Sequence, residues 1–409
     1  KIENEDSIRL ADYGTSNSGL LKTLYRSGLS YRYGSMMQTV SGIHYNFSFS
    51  DGFFESLKGN EDLQSFKNKT YLSLIRNFRR NAWMILYLFG SSPVVPKTFI
   101  TNRENFLEDL NEEDLFLEYA TCLRMSELGY MSKAQDNLYI AYNNIDEYLK
   151  DLKHALTKEH KRYGEVGVLK DGKRIQINTS IIQIENEYYS SIRPKRVTPP
   201  GERPLNILRA EGIDYVEIRA LDNNSFLPSG IDEDTSYFLE AYLIGCFFGE
   251  DKKSSQDEIK ELLVNWENVV KEGRKPDLKI LKNKEKITVK DSGMKVIDYL
   301  REVFEQMPSE MSGYVEKVMK SLNKQEEKLN DASLTPSGRI VSELQNNNKT
   351  WEELNLELAG EHSQSLKRIE TDLNYLSKEA KSSLEKFNEL GNHQEEEFDV
   401  YLDKFVNDI

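Results

Sequence analysis

The chain has 409 residues, of which 38% are hydrophobic and 30% charged, and its net charge is −14 at pH 7. This composition is typical of a globular protein with a large core. Nonspecific binding to nucleic acid depends on Lys and Arg neutralising phosphates, so an acidic chain is a poor candidate for that function. The two cysteines, Cys122 and Cys246, are too few for a disulfide framework and predict buried thiols in a reducing compartment, the cytoplasm. The apolar runs are far shorter than the roughly 20 residues of a membrane span, so no membrane partner is expected.

Two helices are predicted near the start of the chain. Leu20–Tyr33 has apolar or aromatic residues at helical spacing, with Ser16 and Asn17 upstream as candidate N-caps. Tyr71–Phe89 has the pattern of one long, partly buried helix, and Gly90 with the Ser-Ser-Pro that follows predicts its end.

Three segments alternate apolar and polar residues with period two, which predicts strands with one face on the core. They are Ser41–Phe49, Ile181–Glu187 and Ile213–Ala220. A strand face in bulk water usually carries Thr, Lys and Ser, whereas these polar faces carry side chains that can do chemistry. The side chains are His44 and Asn46 on the first strand, Glu185 and Glu187 on the second, and Glu217 between Tyr215 and Arg219 on the third.

The second half of the chain is predicted to be almost entirely helical. Helical patterns cover Asp232–Phe248, Asp257–Glu272, Ser292–Met307, Ser309–Lys324 and a Glu- and Lys-rich stretch over His362–Gly391, and Ser309 is a candidate N-cap. The expected organisation is a catalytic sheet-and-helix domain over residues 1–250 and a mainly helical region over 251–409.

The polar strand faces suggest a metal site. If the three strands share a sheet, His44 and the carboxylates converge on one surface, where Mg²⁺ would find oxygen ligands and Mn²⁺ would accept the imidazole. The alternative is that His44 is a hydrogen-bonded structural residue, which is the commoner role of a single histidine on a strand.

Ile192–Arg196 is a compact basic segment in an acidic chain. Arginine and lysine side chains suit phosphate oxygens, so this segment is either a phosphate contact or a surface loop paired with nearby acids. Since the sequence has no P-loop and no Gly-rich dinucleotide fingerprint, an ATP enzyme built from it would hold phosphates with metal ions and basic side chains.

Several motifs together resemble the proteobacterial type of glutamate–cysteine ligase. They occur in the order and at the spacing of that family, from about Leu10 to Lys275. The matching segments are Tyr13–Gly19, Lys22–Arg26, Gln38–Thr39, Gly42–Phe47, Arg124–Tyr130, Gln176–Asn178, Gln183–Glu187, Ile192–Val197, Tyr215–Asp222, Asn265–Trp266 and Glu272–Pro276. The helical remainder matches in character only.

The resemblance implies a reaction and a fold. In this family, ATP converts the γ-carboxylate of glutamate to an acyl phosphate, the amine of cysteine attacks it, and phosphate leaves, which is the first step of glutathione biosynthesis. The implied fold is α+β: a curved, mostly antiparallel sheet resembling the glutamine synthetase catalytic half, with surrounding helices and a helical C-terminal lobe. Glutamate, cysteine and ATP with Mg²⁺ or Mn²⁺ are the implied ligands.

The resemblance also implies roles for single residues. Its metal ligands match His44 and Glu217, and its arginine near the transferred phosphoryl group matches Arg219. The implied cysteine-pocket residues are Tyr25, Leu29, Gln38, Tyr130 and Tyr189. The implied glutamate side consists of Thr39 and Arg124, and the implied nucleotide contacts are Lys195 and Arg196.

One departure from the family concerns the start of the chain. Family members begin with a further segment that carries metal-binding glutamates and part of the substrate site, and the chain opens at Lys1, where that segment would end. The expectation is that the upstream segment is a partner of this chain and that the chain alone is inactive.

Two other functions remain open at this point. One is a related ligase that joins glutamate to a different amine, against which the cysteine-pocket residues argue. The other is a non-catalytic helical binding protein derived from the ligase. The presence of His44, Glu217 and Arg219 argues against such a loss of the active site.

Overall fold

The structure is a computed structural model. It describes residues 2, 4–100, 104–129, 133–135, 138–367, 372–392 and 396–409. Helices account for most of this part of the chain, and the strands form small antiparallel sheets, so the fold is α+β as expected.

The helices are α1 (Asn17–Tyr33), α2 (Asp51–Leu57), α3 (Leu63–Arg80), α4 (Trp83–Phe89), α5 (Ile145–Thr157), α6 (Lys161–Val166), α7 (Pro204–Glu211), α8 (Glu233–Phe248), α9 (Gln256–Glu272), α10 (Val289–Glu305), α11 (Ser312–Asn330), α12 (Pro336–Asn347), α13 (Trp351–Leu366), α14 (Leu373–Asn392) and α15 (Phe398–Asn407). The strands are β1 (Ile43–Phe47), β2 (Val94–Pro96), β3 (Glu108–Asp109), β4 (Asp114–Phe116), β5 (Leu169–Lys170), β6 (Lys173–Arg174), β7 (Ile192–Lys195), β8 (Tyr215–Leu221), β9 (Lys279–Lys282) and β10 (Glu285–Thr288).

The sheet that matters for function has the order β1-β8-β7, with β8 antiparallel to both neighbours. Two of its strands, β1 and β8, were predicted. The third was predicted wrongly: the segment 181–187 forms no strand and ends in a short 3₁₀ turn. Its place in the sheet is taken by β7, which falls in the basic segment, for which no strand was predicted.

The acidic residues of segment 181–187 are buried and paired instead of facing a cavity. Glu187 lies 3.0 Å from Arg32, and Glu185 lies 3.1 Å from Arg203. Since a buried carboxylate needs a partner, these two pairs hold the segment against α1 and the start of α7.

Two helix predictions also need correction. The long helix expected over 71–89 is two helices, α3 and α4, which are separated at Asn81 and Ala82, although it ends at Gly90 as expected. Ser309 does not cap α11, which begins at Ser312 after a short 3₁₀ turn. The predicted start of α1 is confirmed, because the side chain of Ser16 accepts a hydrogen bond from the Gly19 amide.

The main core lies behind the β1-β8-β7 sheet. Val216, Ile218 and Ala220 of β8 pack there against α3, α4 and α8, while the other face of the strand stays available for polar side chains. The same core continues into α10 and α11, so residues on both sides of position 250 share it, and the expected domain division there stays a prediction. Within the described ranges, no helix combines the length and the apolar character needed to cross a lipid bilayer.

Candidate active site

Glu217 is the centre of a group of basic side chains on the polar face of the sheet. Its carboxylate lies 3.7 Å from Nδ1 of His44, 3.7 Å from Nζ of Lys195 and 3.5 Å from Nε of Arg219. Arg219 also donates to Nε2 of His44 over 3.4 Å and to the carbonyl of Tyr188 over 3.2 Å. Three strands therefore contribute to one cluster, and the side chains of His44 and Glu217 lie together on one face of neighbouring strands.

A bulge in β8 lies opposite His44. Asn46 pairs with Glu217 in regular register, but between the pairs Tyr45–Ile218 and Ile43–Leu221 the single residue His44 lies opposite two residues of β8, Arg219 and Ala220. His44 lies on the same side of the sheet as Asn46 through the normal alternation of β1, and Arg219 of the bulge donates to its ring.

Burial and mutual repulsion lower the pKa values of the basic groups in this cluster. Burial, helped by the charge of Arg219, lowers the pKa of His44, so its imidazole is neutral at pH 7. Burial also lowers the pKa of Lys195, against the opposing pull of Glu217. Burial and the neighbouring Arg193 lower the pKa of Arg219 to about 10. The site is thus rich in positive charge that has been taken out of water, which favours an anionic ligand.

The residues expected around cysteine lie beside this cluster. Tyr25 and Leu29 are one turn apart on α1, and Leu29 is buried. The Tyr189 hydroxyl lies 3.7 Å from the sulfur of Met37, and the neighbouring Gln38 donates to the carbonyl of Arg26 over 2.9 Å. Burial raises the pKa of Tyr25 far above its usual value, with the carboxylate of Glu187 next in effect, so its phenol stays protonated. Tyr130 lies outside the described residues.

The residues expected on the glutamate side lie at the other end of β8. Arg124 is buried, with its Nε 2.5 Å from Oδ1 of Asp222 and its Nη2 donating to the carbonyl of Leu221 over 2.8 Å. It lines a cavity of about 250 Å³ with Val40, Ser41 and Asn223. Thr39 comes directly before Val40 in the sequence, and its hydroxyl donates to the carbonyl of Met36 over 2.8 Å.

Arg196 is placed apart from the cluster. Its guanidinium donates to the carbonyls of Gly212 and Glu211 and to Oε1 of Gln64, and it lies 3.3 Å from the Glu211 carboxylate. These protein groups hold the guanidinium of Arg196 away from Glu217. Of the two basic residues, only Lys195 reaches the Glu217 carboxylate.

Comparison with known proteins decides the family. Residues 1–269 match the family model described as glutamate-cysteine ligase. The chain is 38% identical to a glutamate–cysteine ligase of Pseudomonas putida, over 99% of this chain and 78% of that protein, and 40% identical to one of Pseudomonas fluorescens, over 99% and 77%. The chain belongs to the glutamate–cysteine ligase family.

Solved structures agree with this membership. A glutamate–cysteine ligase of Francisella tularensis, solved in complex with AMP, superposes with a TM-score of 0.90 at 36% identity, over 99% of this chain and 80% of that one. A bifunctional glutathione synthetase of Pasteurella multocida superposes with a TM-score of 0.62 at 22% identity, over 90% of this chain and 40% of that one, which shows a shared fold only. As a glutamate–cysteine ligase, the chain is an ATP-dependent enzyme of glutathione biosynthesis.

Sequence reasoning gave no individual role to Arg193 or Asp222, although Arg193 lies in the basic segment and Asp222 ends one of the matching motifs. The Asp222 carboxylate accepts from the Ser91 amide and the Ser92 hydroxyl, each over 2.7 Å, besides binding Arg124. The period-two phase of β7 places Arg193 with Lys195, and this signal could have identified it.

Proposed function

We propose that the polar sheet face around Glu217 is where this ligase transfers a phosphoryl group from ATP to the γ-carboxylate of glutamate. The observation that carries the proposal is the convergence of His44, Lys195 and Arg219 on one carboxylate, within 3.7 Å of it, from three strands. Such a cluster is suited to phosphoryl transfer, in which the protein contributes mainly position and positive charge.

His44 and Glu217 fit a divalent metal ion as part of its ligand set. The imidazole is neutral at pH 7, as a ligand must be, and its Nδ1 lies 3.7 Å from the carboxylate. Among the described residues, no three His, Cys, Asp or Glu side chains are grouped closely enough to hold a metal ion by themselves. Mg²⁺, or Mn²⁺, held there would neutralise charge on the nucleotide.

Arg219 and Lys195 supply the permanent charge. As the oxygen of the γ-carboxylate bonds to the terminal phosphorus of ATP, the bond to ADP breaks and negative charge spreads over the phosphoryl oxygens. Arg219, fixed by the Tyr188 carbonyl, is positioned to bind those oxygens, and Lys195 is positioned for the nucleotide. The cysteine amine then forms the amide bond as phosphate leaves.

The neighbouring residues accommodate the two amino acids. Tyr25, Leu29, Gln38 and Tyr189, with Tyr130, are assigned to the cysteine pocket. Thr39 and Arg124 are assigned to glutamate, because Arg124 is a buried cation lining a cavity at the end of β8. Both cysteines of the chain are buried free thiols. We place the reaction in the cytoplasm, where ATP is made and the substrate thiol is kept reduced.

The test is a substrate-dependence assay on the complete gene product. Phosphate release and γ-glutamylcysteine are measured with ATP, Mg²⁺, glutamate and cysteine, then with each omitted. We expect product only with all four, and a much higher kcat/KM for cysteine than for alanine, serine or glycine as the amine. Equal rates with another amine would show that the enzyme is not specific for cysteine. Product formation without ATP would contradict the proposal.

A further inference from the structure

Buried arginines in this chain follow a rule with one exception. Five arginines are buried within the described residues: Arg32, Arg76, Arg124, Arg193 and Arg203. Four of them form an ion pair with a carboxylate. The pairs are Arg32 with Glu187, Arg76 with Asp251, Arg124 with Asp222 and Arg203 with Glu185. Arg193 has no such partner in the described ranges.

The contacts of Arg193 satisfy only part of its guanidinium. Nη2 donates to the carbonyl of Asn186 over 3.2 Å, and the guanidinium carbon lies 5.7 Å from the ring centroid of Tyr188. Nε is buried and makes no hydrogen bond with any described residue. Since burying a cation without a counter-ion is unfavourable, a position that keeps one calls for an anion from elsewhere.

The sheet register shows where that anion would lie. Arg193 is directly opposite Glu217 across β7 and β8, and Lys195 is opposite Tyr215, so all four side chains project from one face. Arg193 therefore shares a face of the sheet with the cluster around Glu217.

We propose that Arg193 is a second phosphoryl-binding arginine, whose counter-ion is an oxygen of the phosphoryl group in transfer. This assignment rests on the proposed function of the sheet face around Glu217. Arg193, Lys195 and Arg219 carry three positive charges against the single carboxylate of Glu217. A substrate carboxylate would balance one of the two remaining charges, whereas a phosphoryl group balances both and offers several oxygens to two neighbouring guanidinium groups.

The experiment compares Arg193→Gln and Arg193→Lys with the unmodified complete gene product, and uses Arg209→Gln, a change at an exposed arginine, as the control. Three quantities are measured: kcat, the KM for each substrate, and scrambling of a bridging ¹⁸O in ATP when glutamate is present and cysteine absent. Scrambling reports the first phosphoryl transfer alone. We expect Arg193→Gln to lose at least 100-fold in kcat and in scrambling, with the KM for cysteine changed less than 3-fold. For Arg193→Lys we expect a kcat and a scrambling rate between those of Arg193→Gln and the unmodified protein, because lysine keeps the positive charge but cannot donate two parallel hydrogen bonds as a guanidinium does.

The outcomes separate the possibilities. Normal scrambling with a KM for cysteine or glutamate raised tenfold would assign Arg193 to an amino-acid carboxylate and overturn the proposal. Normal values throughout in Arg193→Lys and Arg193→Gln would also overturn it. If Arg193→Gln does not fold, Arg193→Lys decides by the same criteria. An equal loss in Arg209→Gln would show a general effect of removing an arginine and would overturn the proposal. An unmodified protein that makes no product would instead contradict the proposed function.

Discussion

Nη1 of Arg32 lies 3.0 Å from Oε1 of Glu187, and neither side chain has any exposed surface. The same oxygen accepts from the Tyr33 hydroxyl over 2.7 Å, and Oε2 of Glu187 accepts from the backbone amide of Gln183 over 2.7 Å. This pair joins α1, which carries Tyr25, to the segment that precedes Tyr189. It therefore holds the two sides of the expected cysteine pocket in one arrangement.

Removing the charge of Glu187 is expected to destabilise the whole protein. Glu187→Gln leaves the Arg32 guanidinium buried beside a neutral amide, a change that costs about 3–5 kcal/mol in other buried pairs. The measurement is the free energy of unfolding in urea at pH 7. Asp399→Asn is the control, because Asp399 is 75% exposed in its pair with Arg174, and its loss should cost less than about 1 kcal/mol. Equal losses in both variants would show that burial does not strengthen the Arg32 pair.

The alternation that predicted a strand over 181–187 was real but had another cause. Glu185 and Glu187 sit in a 3₁₀ turn and face arginines that lie 18 and 155 residues away in the chain. Period-two spacing cannot distinguish a polar sheet face from buried ion pairs, because the partners are distant in sequence. By contrast, β1 and β8 were predictable, since each directs its apolar residues, partly buried in β1 and buried in β8, to the core and keeps the polar ones together on the other face.

Arg219→Ala is expected to reduce turnover far more than substrate binding. A cation aimed at the moving phosphoryl group acts most strongly in the transition state, so kcat should fall by roughly 100-fold or more while the KM for glutamate and cysteine changes little. Steady-state kinetics on the complete gene product measures both. A near-normal kcat with a raised KM would show that Arg219 only binds substrate.

Glu217→Gln is expected to raise the metal requirement. The amide keeps the size of the side chain but loses the charge that attracts Mg²⁺, and so the Mg²⁺ concentration for half-maximal rate should rise at least tenfold. Rates are titrated against Mg²⁺ at saturating ATP, and chelation by EDTA should abolish the activity of the unmodified protein. An unchanged titration curve would remove Glu217 from the metal site.

Lys195→Ala and Arg196→Gln separate two neighbouring cations. Lys195 points to Glu217, so its loss is expected to raise the KM for ATP by about tenfold. Arg196 is held by Gln64, Glu211 and Gly212, so its loss is expected to lower the melting temperature and leave the KM for ATP nearly unchanged. A raised KM in both variants would show that Arg196 also contacts the nucleotide.

Lys328 should make stability depend on alkaline pH. Its ammonium donates to the carbonyl of Leu88 over 3.2 Å, and burial lowers its pKa to about 8 from an ordinary value of 10.5. Between these values the unfolded chain holds a proton that the folded chain does not, so stability rises with pH across this window, by at most about 1.4 kcal/mol per pH unit. Lys328→Met should lack this rise, while Lys320→Met, at an exposed position of the same helix, should keep it. Urea unfolding at pH 7.5 and pH 10 tests this; parallel curves for Lys328→Met and the unmodified protein would contradict it.

The structure also explains why the sequence pattern did not predict β7 and predicted one helix in place of α3 and α4. Pro194 argues against a central strand, but β7 lies at the edge of the described sheet, where proline is tolerated. The apolar pattern of 71–89 continues through Asn81 and Ala82, because α3 and α4 both pack into the same core, so periodicity gave no sign of the break.

Pro194 has a consequence for how the β1-β8-β7 sheet can grow. The amide of Arg219 bonds to the Ser191 carbonyl across the pair, which directs the backbone groups of Ile192 and Pro194 to the outer side of β7. A strand approaching that side meets one N–H, at Ile192, and none at Pro194, so it cannot complete a ladder. The opposite side, at β1, contains no proline. The described sheet can therefore be extended by regular pairing on one side only, and a strand that widens it there would lie beside His44, at the margin of the candidate active site.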